Sequence, residues 1–208
     1  MKLLSALALV GSLSAAVPAF AAPVTLDFED QTSFSSINIA SNPYGIAANG
    51  ALLALANDGL GSGLNNEYFS NAPGAVVMFA TDPLAGERAE ISSTAGFTQA
   101  VSFYYSAAAS GTVNVLDAAG GILSSFTFGA NSTSTDHPFN TWSLASVTFD
   151  GLAHSIDFTN TVGVAAFDNV TLNPVPLPAG LLLLPSGLAA LGLVRRRKAP
   201  AACKAVAA

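Results

Sequence analysis

Cysteine is almost absent from this 208-residue sequence. The only cysteine, Cys203, lies close to the C-terminus, beyond a cluster of cationic residues. The long stretch from residue 22 to residue 174 therefore has neither a disulfide framework nor a thiol nucleophile. Disulfides are permitted in exported proteins, but this stretch must be stabilised by its hydrophobic core, with or without a bound ion.

Basic residues are also scarce between residues 22 and 174. That stretch holds all 13 acidic residues of the chain but only one base, Arg88, because the other bases lie in the two ends. Such an acidic surface repels phosphate backbones, which argues against nucleic acid as a partner. It suits a solvated extracellular protein and cations such as calcium, although it can also serve solubility alone.

Histidine is rare as well, and the two positions match no zinc or catalytic motif. His137 and His154 lie outside any H-E-x-x-H pattern, and no G-x-S-x-G nucleophile elbow occurs. A glycosidase would need only two carboxylates in a cleft, which 13 acidic residues could supply. We predict that the protein is not an enzyme, with a glycan-active hydrolase as the less favoured alternative.

The first 21 residues are typical of a secretory signal peptide. Lys2 precedes an apolar run from Leu3 to Val10, and Ala19-Phe20-Ala21 provides an A-x-A cleavage site. A buried N-terminal helix is the alternative. Cleavage after Ala21 would leave residues 22–174 as one exported domain, long enough to bury a full core.

A second apolar run predicts a membrane span near the C-terminus. Residues 179–194 carry no charge, and four cations, residues 195–198, follow directly. About 20 apolar residues are enough to cross a bilayer as a helix, and residues 175–194 supply that length. The positive-inside rule then places residues 22–174 outside and the tail, residues 199–208, in the cytoplasm. A buried core helix and a plain membrane anchor are the alternatives.

The segment 175–198 combines a proline motif, an apolar run and a basic cluster in that order. The motif consists of Val175, Pro176, Leu177, Pro178 and Ala179, and the cluster includes Arg195, Arg196 and Arg197. This arrangement resembles the PEP-CTERM family of bacterial sorting signals, in its VPLPA variant. The resemblance implies handling by an exosortase, a membrane transpeptidase-like enzyme.

The same resemblance implies where the protein travels. It implies export across the inner membrane, anchoring there by the C-terminal helix until processing, and then a place on the cell surface or outside the cell. It also implies a bacterium that makes exopolysaccharide, so extracellular polysaccharide is the expected partner.

The domain between the two ends is predicted to consist of β-strands. We count about ten or eleven short segments rich in β-branched and aromatic residues, among them residues 88–93 and 98–106. Turn-forming residues separate most of them. Apolar residues alternate in several, as Val101, Phe103 and Tyr105 do. This pattern predicts an all-β fold, an antiparallel β-sandwich of jelly-roll type.

Acidic residues in the first and last predicted strands are candidate metal ligands. Period two puts Asp168 on the face of Val170 and Leu172, which predicts an inward carboxylate in need of a partner. The pattern is similar to sugar-binding jelly rolls in which strand-end acids hold a structural calcium ion. That resemblance nominates Glu29, Asp30 and Asp168, with Asp27 outside the first choice. The alternatives are solvated strand-end acids, or Asp168 bonded to backbone amides.

Two aromatic residues are candidates for contact with sugar rings. Tyr104 points away from the face shared by Phe103 and Tyr105, whereas Trp142 begins a strand and could instead belong to the core. We predict a structural or adhesive component of the extracellular polymer layer. A calcium-dependent carbohydrate-binding module is the alternative.

Overall fold

The computed structural model describes residues 21–39, 42–49, 51–56, 72–133 and 139–175 of the chain. Within these ranges it contains ten β-strands and one turn of 3-10 helix, Thr159–Thr161, but no α-helix. The strands are β1 (Val24–Leu26), β2 (Ile46–Ala48), β3 (Leu52–Ala56), β4 (Val76–Ala80), β5 (Glu90–Ala107), β6 (Gly111–Leu116), β7 (Ile122–Phe128), β8 (Ser143–Thr148), β9 (Ala153–Asp157) and β10 (Ala165–Pro174). Their pairings are antiparallel, so the prediction of an antiparallel all-β fold is confirmed for this part of the chain.

Strand β5 is shared by two sheets. Its second half pairs with β8 and β10. Strand β10 also pairs with β4, which pairs with β3, and β1 pairs with the last part of β10. We call this set the first sheet. The first half of β5 pairs with β2 and β9, and β9 continues to β6 and β7. We call that set the second sheet.

The two segments predicted as separate strands, 88–93 and 98–106, belong to this one strand of 18 residues. Two residues near its middle, Gly96 and Gln99, have φ angles of 78° and 74°. The ladder with β9 is irregular between Ser92 and Phe97. Left-handed residues of this kind make bulges that bend a strand. The bend lets β5 leave one sheet and enter the other without a turn.

A phenylalanine-rich core joins the two sheets. Phe103 of β5 and Phe167 of β10, both in the first sheet, have ring centroids 5.6 Å apart. Phe126 of β7, at the far edge of the second sheet, lies 5.9 Å from Phe103. Phe128 on the same strand lies 6.3 Å from Phe167. Because β7 is not a hydrogen-bonded neighbour of β5 or β10, these contacts cross between the sheets and make the fold a β-sandwich.

The predicted signal peptide and the predicted sorting segment lie almost wholly outside the described ranges. Only Ala21 of the signal peptide and Val175 of the sorting segment are included. Within the described part of the chain, no helix has the length and apolar character needed to cross a membrane.

Candidate functional site

Two of the three predicted metal ligands, Glu29 and Asp168, lie side by side. Asp168 Oδ2 accepts a hydrogen bond from the Gly74 amide at 2.9 Å. Glu29 Oε1 accepts bonds from the amides of Ala75 at 2.8 Å and Val76 at 3.1 Å. Glu29 and Asp168, here called the carboxylate pair, thus bind three consecutive amides at the entry to β4.

The carboxylate pair leaves no room for a side chain at Gly74. A Cβ atom built there would collide with Glu29 Oε1 and would lie 3.3 Å from Asp168 Oδ2. The absence of a side chain therefore lets both carboxylates approach the same backbone segment.

Asp168 is fully buried, as predicted from its position in the last strand. The pKa of its carboxyl is raised to about 6, mainly because the group is buried; bonds from the Asn169 and Gly74 amides oppose the rise, and the nearby charges of Glu29 and Asp27 add to it. The carboxylate charge is therefore held at a free-energy cost in the folded protein.

The face on which Asp168 lies differs from the prediction. Phe167 pairs with Tyr105 and faces the core, so Asp168, paired with Tyr104, points to the outer face of the first sheet. The ladder then becomes irregular around Asn169, whose φ is 50°. This bulge returns Val170 and Leu172 to the core, which is why period two failed at this point.

Asp30 does not bind the amides that the carboxylate pair binds. Its carboxylate accepts a hydrogen bond from the Gln31 side chain. Asp27 and Asp30 both line a small hollow of about 240 Å³ beside β1. Of these two residues, Asp27, which is outside the first choice of ligands, lies close enough to raise the pKa of Asp168. Among the described residues, no three Asp, Glu, His or Cys side chains form a group with metal-binding spacing.

The two candidate aromatic residues lie on the first sheet in different surroundings. Tyr104 is half-buried and stands between Leu144 of β8 and Asp168 of β10 in one cross-strand row. Trp142 packs against a small second hydrophobic cluster that includes Val77 and Ala166. Trp142 therefore helps to cover part of the sheet, whereas Tyr104 is partly open to solvent.

An apolar cleft of about 490 Å³ adjoins this second cluster. Phe34, Phe79 and Phe139 contribute aromatic rings to its walls, and Leu55 completes one side. Leu55 and Phe139 border segments that lie outside the described residues. We assign no ligand to this cleft.

A polar cleft of about 800 Å³ crosses the outer face of the second sheet. Ile91 and Ile156 face the core, so their neighbours Ser92 and Ser155, which pair across β5 and β9, face the cleft. Other polar side chains in its lining are Asn49, Glu87, Arg88, Glu90, Thr94, Asp117 and His154. Sequence analysis missed this site, since strand pairing brings together residues that are far apart in the chain.

Asn49, Asp117 and His154 of the polar cleft bond to backbone groups, whereas other polar side chains there do not. Within the described part of the chain, the Arg88 guanidinium and the Glu90 carboxylate make no side-chain hydrogen bond or ion pair. Ser155 is only 8% exposed, yet its hydroxyl has no hydrogen-bond partner there either, and it forms part of the cleft floor. The Ser155 hydroxyl itself is open to the cleft, where water or a ligand can bond to it.

Comparison with known proteins gave distant structural similarities only. No family model and no curated protein sequence matched the chain. Among solved structures, the K2 cleaved adhesin domain of Lys-gingipain has a TM-score of 0.44 and 15% identity, over 73% of this chain and 99% of that one. A family 29 carbohydrate-binding module has a TM-score of 0.36 and 14% identity, over 73% and 91%.

Enzymes also occur among the similar structures. A family 43 arabinoxylan arabinofuranohydrolase from Bacillus subtilis has a TM-score of 0.37 and 13% identity, and the match covers 67% of this chain but 28% of the enzyme. At TM-scores this low, the ligand or activity of a similar protein says nothing about this chain.

Proposed function

We propose that this chain is an exported, non-catalytic protein whose β-sandwich binds polysaccharide outside the cell. The polar cleft is the observation that carries the proposal. Its hydroxyl, amide, carboxylate and guanidinium groups are those that recognise sugar hydroxyls, and the Ser155 hydroxyl, which bonds to no other described residue, lines the cleft. A structural or adhesive role in an extracellular polymer layer follows from such binding.

A binding role is favoured over hydrolysis by the position of the most perturbed carboxyl. A glycosidase needs a proton donor with a raised pKa beside the bond that it cleaves. Asp168 has a raised pKa, but it is fully buried and bonded to backbone amides on the first sheet. The polar cleft lies on the other sheet, so this carboxyl cannot reach a sugar bound there.

We infer that the sandwich is a jelly roll, and the strand order supports this. The first sheet contains the order β4, β10, β5, β8, and the second contains β5, β9, β6, β7. This interleaving of early and late strands in two four-stranded sets is the one expected of a jelly roll, with β5 in both sets.

We further propose that the carboxylate pair holds a calcium ion. Asp27 also lies close enough to raise the pKa of Asp168, and a cation would relieve the repulsion among these acids. Oε2 of Glu29 accepts no hydrogen bond from the described residues, which leaves it free to bind an ion.

Export and sorting are proposed from the sequence of the two ends. The N-terminal 21 residues supply the signal peptide, and residues 175–198 supply the exosortase sorting signal. Together they would deliver the domain, residues 22–174, to the polymer layer that it binds.

Binding of the full chain, purified in a mild detergent, to purified polysaccharides tests the function. Ser155→Ala and Arg88→Ala should each weaken binding about 3- to 10-fold, as expected for the loss of one hydrogen-bonding group. Thr127→Ala, on the same sheet but outside the cleft, is the matched control. Unchanged binding by both cleft variants would contradict the assignment of the cleft.

A further inference from the structure

A row of hydroxyl groups crosses the outer face of the first sheet. Ser146 of β8 is paired with Ser102 of β5, Ser102 with Thr171 of β10, and Thr171 with Thr25 of β1. The four residues, here called the hydroxyl row, thus lie directly opposite one another on four adjacent strands. Neighbouring strands are about 4.8 Å apart, so the hydroxyl groups are spaced regularly across the sheet.

The hydroxyl row faces solvent because its neighbours in sequence face the core. Val101 and Phe103 flank Ser102, and both are buried in the phenylalanine-rich core. Val147, next to Ser146, and Leu172, next to Thr171, are buried there too. Alternation then directs all four hydroxyl-bearing side chains to the outer face.

Part of the hydrogen-bonding capacity of the row is free. Thr25 and Thr171 share one hydrogen bond of 2.9 Å between their hydroxyl oxygens. The hydroxyls of Ser102 and Ser146 bond to no other group in the described ranges. The half-buried ring of Tyr104 and the exposed side chain of Leu144 form the next row, so polar and apolar contacts lie side by side.

The negative charge of the domain favours uncharged ligands over anionic ones at the hydroxyl row. The described ranges contain ten carboxylates and one base, Arg88, which lies on the second sheet. The row itself has no charged residue, and Asp168 lies in the neighbouring row, opposite Tyr104. An uncharged glycan can approach this face without the repulsion that a polyanion would meet.

We propose that the hydroxyl row, together with Tyr104, is a second surface for polysaccharide, suited to an uncharged glycan chain. The inference rests on the proposed function, because the polar cleft supplies the first contact. The two surfaces lie on the outer faces of opposite sheets, so one molecule can bind two glycan chains at once. The protein is then a cross-linker of the polymer layer, and bivalence strengthens its retention there.

A bridging assay tests this inference with the full chain in mild detergent. Cellulose, β-1,3-glucan and galactomannan are each used twice, as insoluble particles and as a fluorescent soluble fraction. Wild-type protein on the particles should capture the soluble fraction of at least one of these polymers. The row variant, Ser102→Ala with Ser146→Ala, should still bind the particles through the cleft but capture about fivefold less soluble polymer, or less still.

Further variants separate this inference from the proposed function. Tyr104→Ala should behave like the row variant, and Thr127→Ala should behave like wild type. The cleft variant, Arg88→Ala with Ser155→Ala, should likewise capture less soluble polymer while it still binds the particles through the row, and only the cleft and row substitutions together should abolish particle binding. If the row variant and Tyr104→Ala both capture as much soluble polymer as the wild type, the second surface is wrong, and the assignment of the cleft is unaffected.

Two other results would also overturn the inference. If no wild-type protein bridges any of the three polymers, the cross-linking role is wrong. If light scattering shows a wild-type dimer that the row variant converts to a monomer, the row is instead a contact between two copies of this chain. Thermal unfolding of every variant checks that the loss is not a loss of folding.

Discussion

Asp168 and Glu29, which are 139 positions apart in the sequence, bind consecutive amides of the same backbone segment. The contact ties β10, the end of β1 and the entry to β4 together in the first sheet. It also places two carboxylates next to each other with one of them fully buried. Stability and ionisation are therefore coupled at this point of the fold.

The first prediction concerns the dependence of stability on pH. The folded pKa of Asp168 is raised from 3.8 to about 6, so the folded protein keeps a proton that the unfolded chain loses at lower pH. The contribution of this group to stability is present below about pH 4 and is lost as the pH rises through about 6.

Thermal unfolding between pH 4 and 8, with a chelator present, measures this effect. Asp168→Asn should flatten the fall in the unfolding midpoint between pH 4 and 6, because the titrating group is gone. Asp150→Asn, which removes an exposed carboxylate, should leave the fall unchanged. A wild-type profile identical in shape to that of Asp168→Asn would show that Asp168 does not titrate in this range.

The second prediction concerns calcium. If the carboxylate pair binds the ion, millimolar calcium at pH 8 should raise the unfolding midpoint of the wild type. An ion at 100 times its Kd adds about 2.7 kcal/mol of stability, which corresponds to about 2–4 °C for each kcal/mol in a domain of this size. Glu29→Gln and Asp168→Asn should each abolish the rise.

Asp30 provides the matched control for calcium. Its side chain bonds to Gln31 and does not bind the amides that the pair binds, so Asp30→Asn should keep the response to calcium. An equal midpoint for wild type in calcium and in chelator would leave the pair as a structural contact to backbone amides only.

The third prediction concerns the space beside the carboxylate pair. Gly74→Ala places a methyl group against Glu29 and Asp168, so one of the two carboxylates must move away from its amides. We expect a loss of about 1–3 kcal/mol in the free energy of unfolding, as for other overpacked sites. Urea unfolding measures it.

Gly129→Ala is the matched control, since nothing lies within 4 Å of a Cβ atom at that position. A Gly74→Ala protein as stable as this control would mean that the segment before β4 adjusts freely. The hydrogen bonds of Glu29 and Asp168 would then contribute little to the fold.

Strand β5 illustrates how much of the fold could be predicted from the sequence. Alternation correctly placed Val101 and Phe103 on the core side, because a half-buried strand has a period of two. The same pattern could not show that one strand runs through Gly96 and Gln99. Gln99 adopts a left-handed conformation that its residue type does not favour, so tertiary packing determines it.

The candidate sites, too, depend partly on tertiary packing that the local sequence pattern does not show. The resemblance to calcium-holding jelly rolls nominates Glu29 and Asp168, and the period of two in the last strand predicts that Asp168 is buried. The outward turn of Asp168 depends on the left-handed Asn169, which no local pattern predicts. Arg88, Asp117 and His154 meet in the polar cleft only because distant strands pair, so single-sequence reasoning could not assemble them.

The last prediction concerns the proposed sorting signal. Replacing Arg195, Arg196 and Arg197 with Ala removes most of the basic cluster that should orient the span, since positive charges are retained on the cytoplasmic side. The triple variant should accumulate as an unprocessed precursor in the inner membrane, or be mislocalised. Immunoblots of membrane, surface and medium fractions measure the distribution. Lys204→Ala, which removes a cation outside the cluster, should be delivered as wild type is. Normal surface delivery of the triple variant would reduce the C-terminal segment to an ordinary hydrophobic anchor.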